Sequence, residues 1–202
     1  SYAILLGRQP RITIAELAAT VPGWKLSGIL KKEWVLFESA LKLDQAFFDR
    51  LGGSIVMAER ITDAPVELSD IPQILSKEIP ATKKKVTFAL RTLNVPGKTV
   101  KKLYYDCKVK MKDRSIPCRY VGTDKKPAVP AQLHDVGMID SKTGCELVIL
   151  QRDEGDLWIG RTVGAQDVES YTKRDIGKPV RDRSSGLLPP KLAQIMLNFG
   201  EW

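Results

Sequence analysis

Residues 171–199 read YTKRDIGKPVRDRSSGLLPPKLAQIMLNF. The first part of this stretch is rich in charged side chains and ends at a Ser-Ser-Gly turn, which is typical of a linker or an extended arm over a surface. The second part starts at a Pro-Pro step, and proline is tolerated in the first turn of a helix. Leu192, Ile195, Met196 and Phe199 then recur at helical spacing, so an amphipathic helix is predicted after the linker.

The residues before this stretch predict an α+β fold. In the first sixty residues, the segments YAILLG, WVLFES and SIVMAERIT favour strands, whereas RITIAELAAT and KLDQAFFDRL favour helices. Such alternation over short spans is typical of a ferredoxin-like arrangement, with helices packed on one face of a sheet. From about residue 63 a second unit follows, with two further helices, a strand in KKKVTFALRTLN, and a hairpin formed by CELVILQR and DLWIGRTVG.

The positive charge of the chain is concentrated in one region. The 202 residues include 32 Lys and Arg against 24 Asp and Glu, a formal net charge of +8. Residues 81–127 contain 14 basic and three acidic side chains, a local net charge of +11. The remainder therefore carries a net charge of −3, and this asymmetry indicates a polyanion-binding face.

Within this region, the segment from residue 98 to residue 112 predicts a helix with a lysine stripe. Steps of three or four residues separate Lys98, Lys101, Tyr105, Lys108 and Lys112, so these five side chains share one face of the helix. Lysines in a line can contact successive phosphates, and a tyrosine among them can stack on a base, although a solvated lysine face is the plain alternative. The predicted RNA contacts in this basic region are Lys84, Lys85, Arg91, Lys98, Lys101, Tyr105, Lys108 and Lys112.

The sequence contains no catalytic or metal-binding motif. Cys107, Cys118 and Cys145 are odd in number and lack a C-x-x-C spacing, and His134 is the single histidine, so buried free thiols are expected and a zinc site is not. Walker, G-x-S-x-G, H-E-x-x-H and G-x-G-x-x-G motifs do not occur. No apolar run approaches ~18 residues and no signal peptide is recognisable, so a cytoplasmic protein without a membrane partner is expected.

The stretch quoted first resembles the junction of the THUMP-containing tRNA guanosine N2-methyltransferases. In that family, Y-x-x-R-D, Pro-x-R and P-P-K-L-A-x-x-M-x-N segments lead into the S-adenosylmethionine-binding domain. The matching positions are Tyr171, Arg174, Asp175, Pro179, Arg181, Pro189, Pro190, Lys191, Leu192, Ala193, Met196 and Asn198. A weaker resemblance extends upstream, where YAILLGRQPRITIAELAAT is similar to the family's ferredoxin-like start and residues 63–164 are similar to a THUMP module.

The resemblance implies four parts. They are a ferredoxin-like domain over residues 1–62, a THUMP RNA-binding domain over 63–165, a linker over 166–188, and over 189–202 the first helix of a Rossmann-like methyltransferase domain. The parent enzyme would use S-adenosylmethionine to methylate the exocyclic N2 of a guanosine in tRNA. This part of it would dock tRNA near the 3′ acceptor end.

The family's glycine-rich cofactor loop and its D-P-P-Y or N-P-P-Y motif do not follow the P-P-K-L-A segment. No catalytic or cofactor-binding residue is therefore assigned to this chain, which is expected to be an excised or naturally truncated tRNA-docking half. Arg174, Arg181 and Arg183 are expected to hold the linker to RNA or to the missing methyltransferase domain.

Two further hypotheses stay open. A freestanding THUMP-type RNA-binding module would recruit a separate catalytic subunit, and its partner surface would be the apolar face formed by Leu192, Ile195, Met196, Phe199 and Trp202. A THUMP-containing tRNA thiolation enzyme fits less well, because nothing in the chain resembles its nucleotide-binding loop.

Overall fold

The computed structural model describes residues 1–80, 82–139, 143–152, 155–177 and 187–200. Over these residues the chain has a mixed α/β architecture with two compact units. Unit 1 comprises Ser1–Met57 and Gly164–Trp202, and unit 2 comprises Ala58–Val163. The helices of the described ranges are all too short or too polar to cross a membrane.

The strands are, in chain order, β1 (Tyr2–Leu6), β2 (Lys25–Leu30), β3 (Trp34–Glu38), β4 (Ser54–Arg60), β5 (Val86–Leu93), β6 (Cys118–Val121), β7 (Gly144–Gln151) and β8 (Leu157–Ala165). The α-helices are α1 (Pro10–Thr20), α2 (Gln45–Phe48), α3 (Ile71–Glu78), α4 (Gly97–Asp113), α5 (Pro130–Asp135), α6 (Val168–Ile176) and α7 (Pro190–Phe199). A short 3₁₀ helix, Leu68–Asp70, precedes α3.

Unit 1 contains a sheet with the strand order β2-β3-β1-β4. β3 pairs antiparallel with both β1 and β2. The apolar strands β1 and β3 are almost fully buried, as their sequence pattern predicts. β2 lies at the edge of the sheet with largely exposed side chains, and its segment KLSGIL does not contain the continuous apolar run found in β1 and β3.

Unit 2 contains a sheet with the strand order β8-β7-β5-β6. β5 is parallel to both β6 and β7, whereas β7 and β8 form an antiparallel hairpin. Because β5 and β6 are parallel, the chain must return across the sheet between them, and α4 makes that return. α4 packs beside α3 over Phe88 and Leu90 of β5, and its buried face consists of Val100, Leu103, Tyr104, Cys107 and Met111.

The segment expected to be a linker over residues 166–188 differs in part from that expectation. Val168–Ile176 forms α6, whose first turn is capped by Asp167, the side chain of which accepts a hydrogen bond from the Ser170 amide at 3.0 Å. Residues 178–186 lie outside the described ranges. The predicted amphipathic helix is present as α7, and both α6 and α7 belong to unit 1.

Only part of the predicted apolar face of α7 is buried. Ile195 is buried, whereas Leu192, Met196 and Phe199 are exposed. Trp202, the fifth member of that face, lies outside the described residues. α7 therefore packs on the rest of unit 1 through part of its apolar surface and leaves the other part exposed.

Candidate nucleic-acid interface

The exposed side of α4 next to its buried face carries the predicted lysine stripe. Helix α4 begins after Pro96 and runs for 17 residues. Lys98, Lys101, Lys108 and Lys112 are all exposed, and Tyr105 among them is 68% exposed. The five residues are kept together because they share one face of a continuous helix, and we call them the α4 stripe.

Within the part of the chain that the structure describes, most ammonium groups of the α4 stripe have no carboxylate partner. Lys101 forms a long ion pair with Asp124, 3.8 Å between Nζ and Oδ2, while its side chain remains 68% exposed. Across the described residues, no carboxylate lies within 4 Å of the ammonium groups of Lys98, Lys108 or Lys112. The neighbouring Lys102 differs in that it is paired with Asp106 one turn later. The stripe therefore presents positive charge to the solvent, where an anion could meet it.

Further basic side chains extend the stripe at both of its ends. Because α4 runs antiparallel to β5, its last turn lies toward the start of β5, which is preceded by the exposed residues Lys83, Lys84 and Lys85. At the other end, the exposed Lys125 and Lys126 lie in the loop after β6, and Asp124 of that loop contacts the first turn of α4. The predicted contacts Lys84 and Lys85 thus lie at the surface of unit 2 together with the stripe.

Arg91, which was predicted to contact RNA, lies inside unit 2. Its side chain is 7% exposed and forms an ion pair with Glu146, 2.9 Å between Nη2 and Oε1. Its guanidinium also donates to the Ala128 carbonyl oxygen, and Glu146 accepts a 2.5 Å hydrogen bond from Thr162. A guanidinium held in this way cannot reach a phosphate, and the prediction for Arg91 is corrected on that ground. The partner Glu146 lies 55 residues away on β7, so nothing near Arg91 in the sequence indicates the pair.

The junction residues that carry the family resemblance form a connected cluster in unit 1. The Tyr171 hydroxyl donates to the Leu51 carbonyl oxygen at 3.1 Å, which ties α6 to the loop before β4. The Arg174 guanidinium lies 4.2 Å from the centroid of the Tyr171 ring, and Lys191 Nζ lies 5.3 Å from the same centroid. Lys191 also donates to Gln166 Oε1 at 2.7 Å. These contacts give Tyr171, Arg174 and Lys191 a role in holding α6 and α7 together.

Arg174 is exposed and so remains accessible to an anion while it covers Tyr171. Partial burial lowers the pKa of Lys191, and the nearby charge of Arg8 lowers it further. Arg181 and Arg183, the other two arginines predicted to act at this junction, lie outside the described residues. Their predicted role stays a prediction.

A buried carboxylate that the sequence did not single out fixes α7 in place. Glu16 of α1 is completely buried and accepts hydrogen bonds from the amides of Gly52 and Gly53, at 2.8 and 2.9 Å. Asn198 of α7 donates to it at 2.7 Å and also donates to the Arg50 carbonyl oxygen at 2.7 Å. The last residue of the junction motif is therefore the one that hydrogen-bonds to Glu16. The sequence signal for this contact was the pair Gly52 and Gly53, whose lack of side chains allows the backbone to approach α1 and α7.

The described residues contain no group of three or more His, Cys, Asp or Glu side chains placed to hold a metal ion. Cys107 and Cys145 are buried free thiols, as predicted, whereas Cys118 is partly exposed. Burial raises the pKa of the Cys107 thiol to about 12, and the nearby charges of Asp106 and Cys118 add to the effect.

No protein-family model matches this chain, and no curated protein matches it in sequence. Among solved structures, TrmN shares its fold. TrmN from Thermus thermophilus matches with a TM-score of 0.56 at 13% identity, over 99% of this chain and 54% of the TrmN chain. PH1313 from Pyrococcus horikoshii Ot3 gives a TM-score of 0.45 at 10% identity, over 82% of this chain and 55% of its own.

A 4-thiouridine synthetase, solved as an RNA complex with bound ATP, gives a TM-score of 0.41 at 12% identity, over 81% of this chain and 41% of its own. At these identities a likeness is one of fold alone. The chain spans about half the length of the TrmN chain, and it shares the fold of that half.

Proposed function

We propose that this chain is the tRNA-binding part of an S-adenosylmethionine-dependent tRNA (guanine-N2) methyltransferase, which docks tRNA near its 3′ acceptor end. The observation that carries the proposal is the α4 stripe. Its lysines lie along a helix about 25 Å long, and most of them have no carboxylate partner among the described residues. A line of available ammonium groups fits the regularly spaced phosphates of a nucleic acid.

RNA is preferred to DNA because of the junction residues. Tyr171, Arg174, Lys191 and Asn198 match the methyltransferase junction, and in this chain they contact one another or unit 1. The fold likeness to TrmN covers nearly the entire chain and is consistent with this assignment. Recognition would rest on phosphates and 2′-hydroxyl groups, since side chains do not read the deep major groove of A-form RNA.

The chain itself does not fit S-adenosylmethionine. Its sequence holds neither the glycine-rich loop nor the D-P-P-Y or N-P-P-Y motif of the family. The proposal therefore assigns cofactor binding and methyl transfer to another part of the parent protein. This chain contributes tRNA binding.

Binding of tRNA tests the proposal directly. Fluorescence anisotropy with 5′-labelled tRNA, measured over a salt series, should give an affinity that falls steeply with salt. Replacing Lys98, Lys101, Lys108 and Lys112 by Gln should weaken binding at least tenfold at low salt. The same change should make the slope of log K against log salt shallower by about three, because each phosphate contact contributes about 0.7–0.9 to it.

The matched control replaces four exposed lysines of unit 1, Lys25, Lys31, Lys32 and Lys42, by Gln, and so removes the same charge. It should retain the steep slope. Equal losses in the two variants would mean that only net charge matters, and absence of binding by the unmodified chain at low salt would refute the tRNA assignment.

Two further measurements test the finer parts of the proposal. Removal of the 3′ CCA should reduce affinity if docking occurs at the acceptor end. Deleting the gene of the parent protein should remove an N2-methylguanosine from the tRNA pool, as read by mass spectrometry of nucleosides. A tRNA pool with all of its N2-methylguanosine intact would contradict the assigned reaction.

A second candidate function is favoured by the exposed part of α7. Met196 is 57% exposed and Phe199 48% exposed, which suits a freestanding THUMP-type module that recruits a separate catalytic subunit. A separate methyltransferase chain that binds this one, and loses binding when Met196 and Phe199 are changed to Asp, would favour that function. Methyl transfer by a single continuous polypeptide would exclude it.

A further inference from the structure

A half-exposed aromatic ring lies beside the α4 stripe, on the outermost strand of unit 2. Tyr120 belongs to β6, the last strand in the order β8-β7-β5-β6. Its ring is 47% exposed. The centroid of this ring lies 4.6 Å from that of Tyr104, with an angle of 36° between the planes, and 6.0 Å from that of Phe88. The ring of Tyr120 is thus backed by two buried aromatic rings while much of its surface meets solvent.

The support beneath Tyr120 is firmly held. The Tyr104 hydroxyl accepts a hydrogen bond from the Leu90 amide at 3.1 Å and lies 3.2 Å from the carbonyl oxygens of Leu90 and Val121, to which it can donate. Burial raises the pKa of Tyr104 to about 12, so its hydroxyl stays protonated at physiological pH. A ring that is already ordered loses little conformational entropy when a ligand stacks on it.

Two lysines of the α4 stripe flank this ring. Lys101 and Lys108 lie three residues before and four residues after Tyr104, so each is one turn away on the same side of α4. Lys101 reaches Asp124 in the loop that follows β6. Lys108 lies near Cys118. Burial raises the pKa of the Cys118 thiol, and the charge of Lys108 opposes this increase. Cys118 and Tyr120 point to the same face of β6, because side chains alternate along a strand.

Tyr105, the tyrosine within the stripe, has a different environment. It is 68% exposed, and among the described residues no aromatic ring is stacked against it. Its side chain would have to be ordered by the ligand. Of the two exposed tyrosines next to the lysines, Tyr120 is the one with a fixed ring.

We propose that Tyr120 is a stacking platform for one unpaired nucleobase of the bound RNA, with Lys101 and Lys108 holding the phosphates on either side of that nucleotide. The inference rests on the proposed function and deepens it, because it assigns the single-stranded part of the RNA to a defined place on unit 2. The two lysines are separated by about 10 Å along the helix axis, which leaves room for a base between them.

The test compares two RNA probes, a hairpin with a single-stranded 3′ overhang and the same hairpin with a blunt end. Stacking of one base contributes about 1–3 kcal/mol, which corresponds to a change in affinity of roughly 5- to 150-fold. Tyr120→Ala should lose affinity for the overhang probe within that range and bind the blunt probe as the unmodified chain does. Tyr120→Phe retains the ring and should retain the affinity.

A second measurement does not depend on loss of affinity. The chain already contains four Trp, so the readout is the difference in tryptophan quenching between a Tyr120→Trp variant and the unmodified chain. The overhang probe should produce that additional quenching, and the blunt probe should not. Unchanged binding of the overhang probe by Tyr120→Ala, or no additional quenching at saturating overhang RNA, overturns the stacking inference alone. If the unmodified chain binds neither probe, the proposed function fails as well.

Discussion

Replacement of Asn198 by Ala should weaken the packing of α7 on the rest of unit 1. Asn198 is 5% exposed and donates two hydrogen bonds of 2.7 Å, one to the buried carboxylate of Glu16 and one to the Arg50 carbonyl oxygen. A hydrogen bond to a charged group contributes about 1.5–3 kcal/mol and a neutral one about 0.5–1.5 kcal/mol. The truncation leaves both acceptors short of a donor, so the docking of α7 should lose about 2–4 kcal/mol.

Amide hydrogen exchange measures this loss where it occurs. If the α7 amides exchange through local opening of the helix, they should exchange roughly 30- to 1000-fold faster in Asn198→Ala, since each 1.4 kcal/mol is a factor of about ten. Met196→Ala is the matched control, because Met196 lies two residues away on the same helix and is 57% exposed. Protection of α7 that stays within about threefold of that control would refute the role assigned to the Glu16–Asn198 hydrogen bond.

Two more predictions concern unit 2. Arg91→Ala should leave Glu146 buried without its ion pair and lower the free energy of unfolding by about 3–5 kcal/mol in urea denaturation; a stable variant with selectively impaired tRNA binding would contradict the structural role. Cys118 should react with a thiol reagent before Cys107, because Cys118 is partly exposed whereas burial raises the pKa of Cys107 to about 12 and so suppresses its thiolate. Peptide mass spectrometry after brief labelling gives the order in which the two thiols are modified. Modification of Cys107 before Cys118 would contradict this prediction.

The periodic elements of the fold could be predicted from the sequence, since their burial follows a simple spacing. The buried positions of α4 recur every three or four residues, and the strands β1 and β3 are apolar except for Glu38 at the end of β3. Two elements were missed for opposite reasons. β2 is an edge strand with little to bury, and α6 buries a single side chain, Tyr171, within a segment dominated by charged and polar residues.

Arg91 shows why charge alone misplaces a candidate site residue. It lies in a basic region and was grouped with the exposed lysines, but β5 is buried along most of its length. A buried arginine needs a carboxylate partner, and Glu146 supplies it from β7. Whether an arginine faces solvent or a partner depends on strand pairing, which is a non-local property.

Tyr105 and Tyr120 show which part of the candidate RNA site depends on one helix and which part depends on the tertiary structure. A line of phosphate contacts is a local property of α4, because residues three and four apart share a face whatever packs beneath them. A stacking platform also needs a ring that is held from behind, and the ring of Tyr120 is held by Tyr104 of α4 and Phe88 of β5. Helical spacing selects Tyr105 because it shares the lysine face, whereas only the pairing of β6 with β5 brings Tyr120 beside that face. The phosphate-binding part of such a site is therefore predictable from sequence, and its base-binding part becomes visible only when the sheet is assembled.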